Sequence, residues 1–180
     1  MDAFDSVLAA ARAGADWAWE RIYADLAGSV IGYLRVHGAP DPEDVAGEVF
    51  LQVVRDLPRF SGDERDFRAW VFTIVHRRLL DSRRARSRRP AGAPLEAVPE
   101  ARGGDVADDA HARLDRARVL ELLADLPPDQ RSVLLLRILG DMTIDEIARA
   151  VGKRPGAVKA LQRRGLKRVA KAYPSAGPER

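Results

Sequence analysis

The residues able to do covalent or metal chemistry are present but not placed for it. His37, His76 and His111 are scattered, and none stands in a ligand spacing such as H-E-x-x-H. There is no cysteine, which excludes a disulfide framework, a thiolate zinc site and a thiol nucleophile. A phosphate loop of the G-x-x-x-x-G-K type and a G-x-S-x-G nucleophile elbow are both absent. Asp44 and Glu48 lie four residues apart on one helix face, but a lone pair of this kind is far more often solvated charge than a catalytic dyad. The chain is read as a non-enzyme, with no catalytic residue, metal or cofactor. The chemistry its residue types do support is ionic: grouped guanidinium and ammonium ions facing the phosphates of a nucleic acid.

The total charge hides that grouping. Across 180 residues, 30 Lys and Arg stand against 27 Asp and Glu, a formal net charge of +3. Residues 1–60 hold 5 basic and 10 acidic groups, and residues 61–75 hold 2 and 3. Residues 76–89, HRRLLDSRRARSRR, hold 7 arginines against Asp81. Residues 90–152 return to 7 basic and 12 acidic groups, and residues 153–180 hold 9 basic groups against Glu179. Two concentrated cationic blocks therefore alternate with acidic stretches, as two separate polyanion contacts would require. The composition, 46% hydrophobic and 32% charged, is that of a globular protein. No apolar run approaches the roughly 20 residues of a membrane span. The N-terminus carries Asp2 and Asp5 and no basic segment, so it is not read as a signal peptide. A cytoplasmic chain with no membrane insertion is the expectation.

The elements that must position these charges are all helical. Trp19, Ile22, Tyr23, Leu26, Val30, Tyr33 and Leu34 keep helical spacing between Asp16 and His37, and Gly38 stops that helix. Asp41 caps the next, Pro42 opens it, and Val45, Val49, Val53 and Leu57 form its buried stripe. Residues 59–64 read as a loop. A third helix starts near Asp66 and runs into the arginines, with Phe67, Trp70, Val71, Ile74, Val75 and Leu79 inward. At helical spacing Phe67 and Trp70 are read as core, which leaves Phe60 in the loop as the ring available for contact. Pro and Gly recur among Ala, Glu and Asp from residue 90 onward, the composition of a flexible linker.

Beyond the linker four short helices are expected. The first carries Leu114, Leu122, Leu123 and Leu126, and the second Val133, Leu134, Leu136 and Ile138, ended by Gly140. Thr143 and Glu146 form a capping box for the third, Gly152 makes the turn, and the fourth runs from Pro155 to Tyr173. Ala148, Gly152 and Val158 have the spacing of a helix-turn-helix: a small residue where helices cross, a glycine in the turn and an apolar plug. Val158, Leu161, Leu166 and Val169 are expected inward. Lys159, Arg163, Arg164, Lys167, Arg168 and Lys171 then face solvent, and no acid lies between Lys153 and Lys171. Such a face suits a major groove.

These segments together resemble one family. DPEDVAGEVFLQVVRDLPRFSGDERDFRAWVFTIVHRRLLDSRRARSRR contains an FRAW-x-F-x-I motif, and LADLPPDQRSVLLLRILGDMTIDEIARAVGKRPGAVKALQRRGLKRVA contains LP-x-x-QR, EIA, a turn glycine and P-G-x-V-K. The two motifs, in this order around a linker, resemble the extracytoplasmic-function (ECF) sigma factors of RNA polymerase, in the sigma-70 family. The resemblance implies an all-α chain of two small helical domains joined by a flexible linker. Residues 1–89 are similar to sigma region 2, residues 90–111 to the acidic linker, residues 112–173 to the region 4 helix-turn-helix, and residues 174–180 form a tail. It implies a compact minimal form of the family.

Roles follow from the same resemblance. Asp44, Glu48 and Gln52 fall where the family binds the clamp helices of the polymerase β′ subunit, and the C-terminal domain is similar to the one that meets the β flap. Phe60, Ser61 and Asp63 lie in the loop that captures a flipped base of the −10 element. His76, Arg77, Asp81, Arg83 and Arg84 fall where the family contacts or melts that element. Arg154, Lys159, Gln162, Arg163, Arg164 and Lys167 are similar to the reader of the −35 element. The linker resembles the segment that threads the polymerase channels. Core RNA polymerase, promoter DNA and an anti-sigma factor are the implied partners. The chain departs from the common pattern at Gly47, where Gln is frequent, at Arg77, where Asn is frequent, and at Ala160-Leu161, where Ser-Arg is common. The rival reading from the residues is a stand-alone helix-turn-helix regulator, which binds duplex DNA unaided and usually as a dimer.

Overall fold

The structure, a computed structural model, describes residues 3–87 and 123–172. The chain divides into two compact units, Met1–Val106 and Ala107–Arg180. The linker, Leu114, Leu122, Arg88, Arg89 and the residues after Ala172 lie outside the described residues.

The first unit is built from α1 (Ala3–Arg12), α2 (Asp16–Val36), α3 (Pro42–Asp56) and α4 (Glu64–Ser87), with a 3-10 turn at Leu57–Arg59. The boundaries follow local chemistry. Gly14 and Gly38 turn the chain with φ of 81° and 68°, a region where a Cβ would be strained. Asp41 accepts a hydrogen bond from the Asp44 backbone N–H at 3.1 Å, and Pro42 occupies the first turn of α3. The Asp63 carboxylate accepts from Asp66 N–H at 2.8 Å and so caps α4. The last helix begins two residues earlier than expected because this cap lies at Asp63.

α3 packs on both α2 and α4, and α1 packs on α2. The core between them contains Tyr33, Leu34, Val49, Val53, Val71, Phe72, Val75 and Leu79, all removed from solvent. Tyr33 meets the edge of Phe72 at 5.9 Å between ring centres. Burying a side chain of this size contributes about 1.5–3 kcal/mol. α4, with 24 residues, is about 36 Å long, so its N-terminal half packs in the core while its arginine-rich end extends along the surface.

α1 was not among the expected elements. Phe4, Leu8 and Ala11 follow i, i+4, i+7 spacing, and Leu8 and Ala11 are buried against the bundle.

The second unit contains α5 (Pro128–Leu139), α6 (Ile144–Val151) and α7 (Pro155–Ala172). Val133, Leu134, Leu135, Leu136, Met142, Ile147, Ala148, Val158 and Leu161 form its core, with Leu123 and Leu126. Two expectations of inward-facing residues are corrected. Ile138 is 61% exposed although it follows buried Leu134 and Leu135 at helical spacing, because it lies in the last turn of α5, beyond the buried run that ends at Leu136. Leu166 is 51% exposed, and Gly165 takes the inward position. At about 100° per residue, Gly165 lies within about 20° of Val158, whereas Leu166 is rotated about 80° away. A Cβ on Gly165 would come 2.9 Å from Leu134 Cδ1, so α5 and α7 approach through the missing side chain. The turn after α5 also differs: Gly140 keeps φ −91°, and the left-handed residue is Asp141 at φ 48°.

Candidate nucleic-acid interface

The helix-turn-helix is set by local signals. The Thr143 hydroxyl accepts from Glu146 N–H at 3.3 Å, while the Glu146 carboxylate accepts from Thr143 N–H at 2.6 Å. Gly152 ends α6 in the left-handed region, φ 68°, and Lys153 N–H closes back on Ala148 O at 3.0 Å. The Lys153 ammonium pairs with Asp129 at 2.9 Å, which ties the turn to α5. Thr143→Ala and Gly152→Ala should each lower the stability of this unit by about 1 kcal/mol, read as a shift in the urea midpoint at unchanged slope.

α7 places its inward residues, Val158, Leu161 and Gly165, against α5 and α6. Leu161, where the family commonly carries Arg, is therefore a core residue here. Around the rest of the helix Lys159, Arg163 and Lys167 lie on one stripe and Arg164, Arg168 and Lys171 on a second, all exposed. Successive members are about 6 Å apart along the axis where the spacing is four residues. Arg154 stands exposed just before the helix and Gln162 is half-buried at its flank. The structure thus brings all six residues expected to read duplex DNA onto or beside one helix.

The second expected group is split. Arg77 is exposed on α4, and Asp81 and Arg84 pair with each other at 3.2 Å on the surface. His76 is not on that surface: it is 5% exposed, and its Nδ1 lies 2.8 Å from the Tyr33 hydroxyl, 43 residues away in the chain. The residue expected at the −10 element is thus held inside the bundle. Arg83 is half-buried and donates to the His37 carbonyl, holding the C-terminal end of α2.

The loop before α4 is also more tightly built than expected. Phe60 is half-buried, stacked on Trp70 at 5.1 Å and 29° and edge-on to Phe67 at 5.4 Å and 77°. Trp70, expected in the core, is itself half-buried and supplies the platform. Ser61 is exposed beside it, and Asp63 is committed to its cap. Gly62 has φ 152°, and a Cβ there would lie 2.7 Å from Asp66 Cβ, so only glycine fits the turn.

On α3, Asp44 and Glu48 are exposed and Gln52 is half-buried. A residue the sequence reads only as part of the cationic block ties Glu48 and Gln52 to α4: Arg78 donates to Gln52 Oε1 at 2.9 Å and lies 3.6 Å from Glu48. Nothing local marks Arg78, which is 26 residues from Gln52. Leu51 and Val54 are exposed on the same helix, and a signal for them existed, since both fall off the Val45–Val49–Val53 stripe. Gly47 is exposed, with nothing within 4 Å of an added Cβ. Gly47→Ala is expected to stabilise the first unit by about 0.5–1 kcal/mol in denaturant titration.

Among the described residues no three His, Asp or Glu side chains gather as a metal site, and no helix is long and apolar enough to cross a membrane.

Comparison with known proteins agrees with this architecture. The model of Sigma-70 region 2 matches residues 21–89, and that of Sigma-70, region 4 matches residues 116–169. An ECF RNA polymerase sigma factor, ShbA of Streptomyces griseus, is 37% identical over 131 residues, covering 71% of this chain and 69% of the relative. The ECF RNA polymerase sigma factor SigD of Mycobacterium tuberculosis is 33% identical over 181 residues, covering 96% of this chain and 85% of the relative. The solved structure of CnrH in complex with the cytosolic domain of CnrY shares the fold, with a TM-score of 0.61 at 24% identity over 98% of this chain and 100% of that one. An exposed cationic helix behind a capped turn, an arginine-bearing α4 and two matched sigma regions in order lead to one conclusion: the chain belongs to the ECF group of the sigma-70 family of RNA polymerase sigma factors.

Proposed function

We propose that this alternative sigma factor, which binds core RNA polymerase and directs promoter-specific initiation, divides its work between its two units. The observation that carries the proposal is the outer surface of α7, where six exposed cations surround a helix seated on the buried Val158, Leu161 and Gly165. α7 enters the major groove of the −35 element. Arg154, Lys159 and Gln162, near its N-terminal half, meet base edges, and Arg163, Arg164 and Lys167 neutralise phosphates. Its specificity is modest, because Ala160 and Leu161 offer no polar group.

The first unit docks on the polymerase and opens the −10 element. Asp44, Glu48 and Gln52, with exposed Leu51 and Val54 beside them, form the surface for the β′ clamp helices. The loop Phe60–Asp63 receives an unstacked base next to the Phe60–Trp70 stack, with Ser61 as the free polar group. Arg77 and Arg84 hold the strand phosphates. Two modest contacts combine through effective concentration when the linker joins them. The protein works in the cytoplasm beside its polymerase, and an anti-sigma factor that covers these surfaces holds it inactive. It supplies no catalytic group; the polymerase performs the chemistry.

The test is to map transcript starts after overexpression. Two short elements at a fixed spacing upstream of new starts support the division. A single palindrome, bound without polymerase, favours a stand-alone regulator.

A further inference from the structure

Arg12 lies at the end of α1, outside every surface described so far, yet it reaches the loop that precedes α4. Its Nη2 donates to the Phe60 carbonyl at 2.6 Å, and its Nε lies 3.5 Å from the Leu57 carbonyl. These carbonyls flank the 3-10 turn that ends α3 and delivers Phe60 and Ser61, and Phe60 N–H already closes on Leu57 O at 3.1 Å. One guanidinium therefore spans both ends of a three-residue turn. A planar fork suits two carbonyls, whereas an ammonium of similar reach serves one direction at a time.

The other end of α1 touches the same aromatic group. The Phe4 ring lies 5.6 Å from Phe67, which carries Phe60 on its edge and lies 5.6 Å from Trp70. α1 thus holds the loop through a ring at its start and a cation at its end. A ten-residue helix is marginal alone, and Leu8 and Ala11 anchor this one to the bundle.

We propose that α1 is a brace for the −10 loop and that Arg12 is a positioning residue. It fixes the Leu57–Gly62 backbone in a base-receiving shape before DNA arrives, so that the strand does not have to order the loop on binding. This rests on the reading that the loop captures a −10 base.

The experiment uses the full chain with core polymerase. The probe is a single-stranded oligonucleotide taken from the non-template strand upstream of a start site mapped for this chain, with a scrambled strand as control. Three quantities are measured for wild type, Arg12→Ala and Arg12→Lys: strand affinity, polymerase affinity and thermal midpoint. The expected result is a loss of about tenfold in strand affinity for Arg12→Ala, an intermediate loss for Arg12→Lys, and unchanged polymerase affinity. If Arg12→Ala fails to fold, Arg12→Lys carries the test, since it keeps the charge but not the fork. Equal strand affinity in wild type and both variants overturns the proposal. A parallel loss of strand and polymerase affinity with a lowered midpoint also overturns it, because Arg12 is then only part of the fold. If wild type itself does not distinguish the two strands, the −10 reading falls and the proposal falls with it.

Discussion

Arg164→Glu should weaken binding to duplex DNA carrying the −35 element by about thirtyfold, some 2 kcal/mol, while the chain still associates with core polymerase at its normal affinity. The residue is exposed in the middle of α7, in line with Arg168 and Lys171, and the core side of the helix is formed by other residues. The substitution therefore removes the proposed phosphate contact and adds a repelling charge without disturbing Val158, Leu161 or Gly165. A phosphate contact also carries a salt signature. Plotted as log affinity against log salt, the slope should flatten by about one unit or more. Lys159→Glu, nearer the start of α7, should act in the same direction and change sequence preference as well, since it belongs to the half of the helix proposed to read base edges. Filter binding across a salt series would check both. Unfolding should remain within about 0.5 kcal/mol of wild type, since surface changes of this kind seldom do more.

Glu48→Lys should do the reverse. Polymerase association falls by about thirtyfold, some 2 kcal/mol, and duplex DNA binding by the chain alone is retained. Glu48 is exposed and 3.6 Å from Arg78, an ion pair that by itself is worth little. Its value lies in arrangement. With Glu48 and Gln52 on one side, Arg78 joins α3 to α4, so the proposed docking surface and the arginine-bearing helix are linked by one guanidinium. A lysine at position 48 repels Arg78 and presents the wrong sign to the polymerase. Competition for core polymerase against a labelled wild-type chain gives the affinity directly. If Arg164→Glu and Glu48→Lys lost polymerase equally, the assignment of separate surfaces to the two units would be wrong.

Much of the architecture was legible because its determinants are local. Asp41-Pro42, Thr143-x-x-Glu146, Gly38 and Gly152 each act within a few residues of their own position, and each marks the boundary it was expected to mark. The apolar stripe of α3 is equally plain, and it leaves Glu48, Leu51 and Val54 on the outside. The failures have the opposite character. His76 and Arg83 look like members of a cationic block, but their partners, Tyr33 and the His37 carbonyl, lie 43 and 46 residues away. No spacing rule reveals that. Phe60 reads as a free loop ring, yet it stacks on Trp70, and its carbonyl is held by Arg12, 48 residues distant. Leu166 failed for a different reason. Hydrophobicity drew it inward, while helical geometry gave the inward position to Gly165, a residue without a side chain to count. α1 carries a readable period in Phe4, Leu8 and Ala11, but its ten residues are too few for local signals alone to announce a helix.

The most direct test is run-off transcription with purified core polymerase, with and without this chain, on templates drawn from upstream regions mapped after its overexpression. The expected result is initiation at those starts only when the chain is present, lost when either the −10 or the −35 element is scrambled. The contrary result would be a polymerase whose start sites do not change on adding the chain, together with tight dimeric binding of the chain alone to a palindromic duplex.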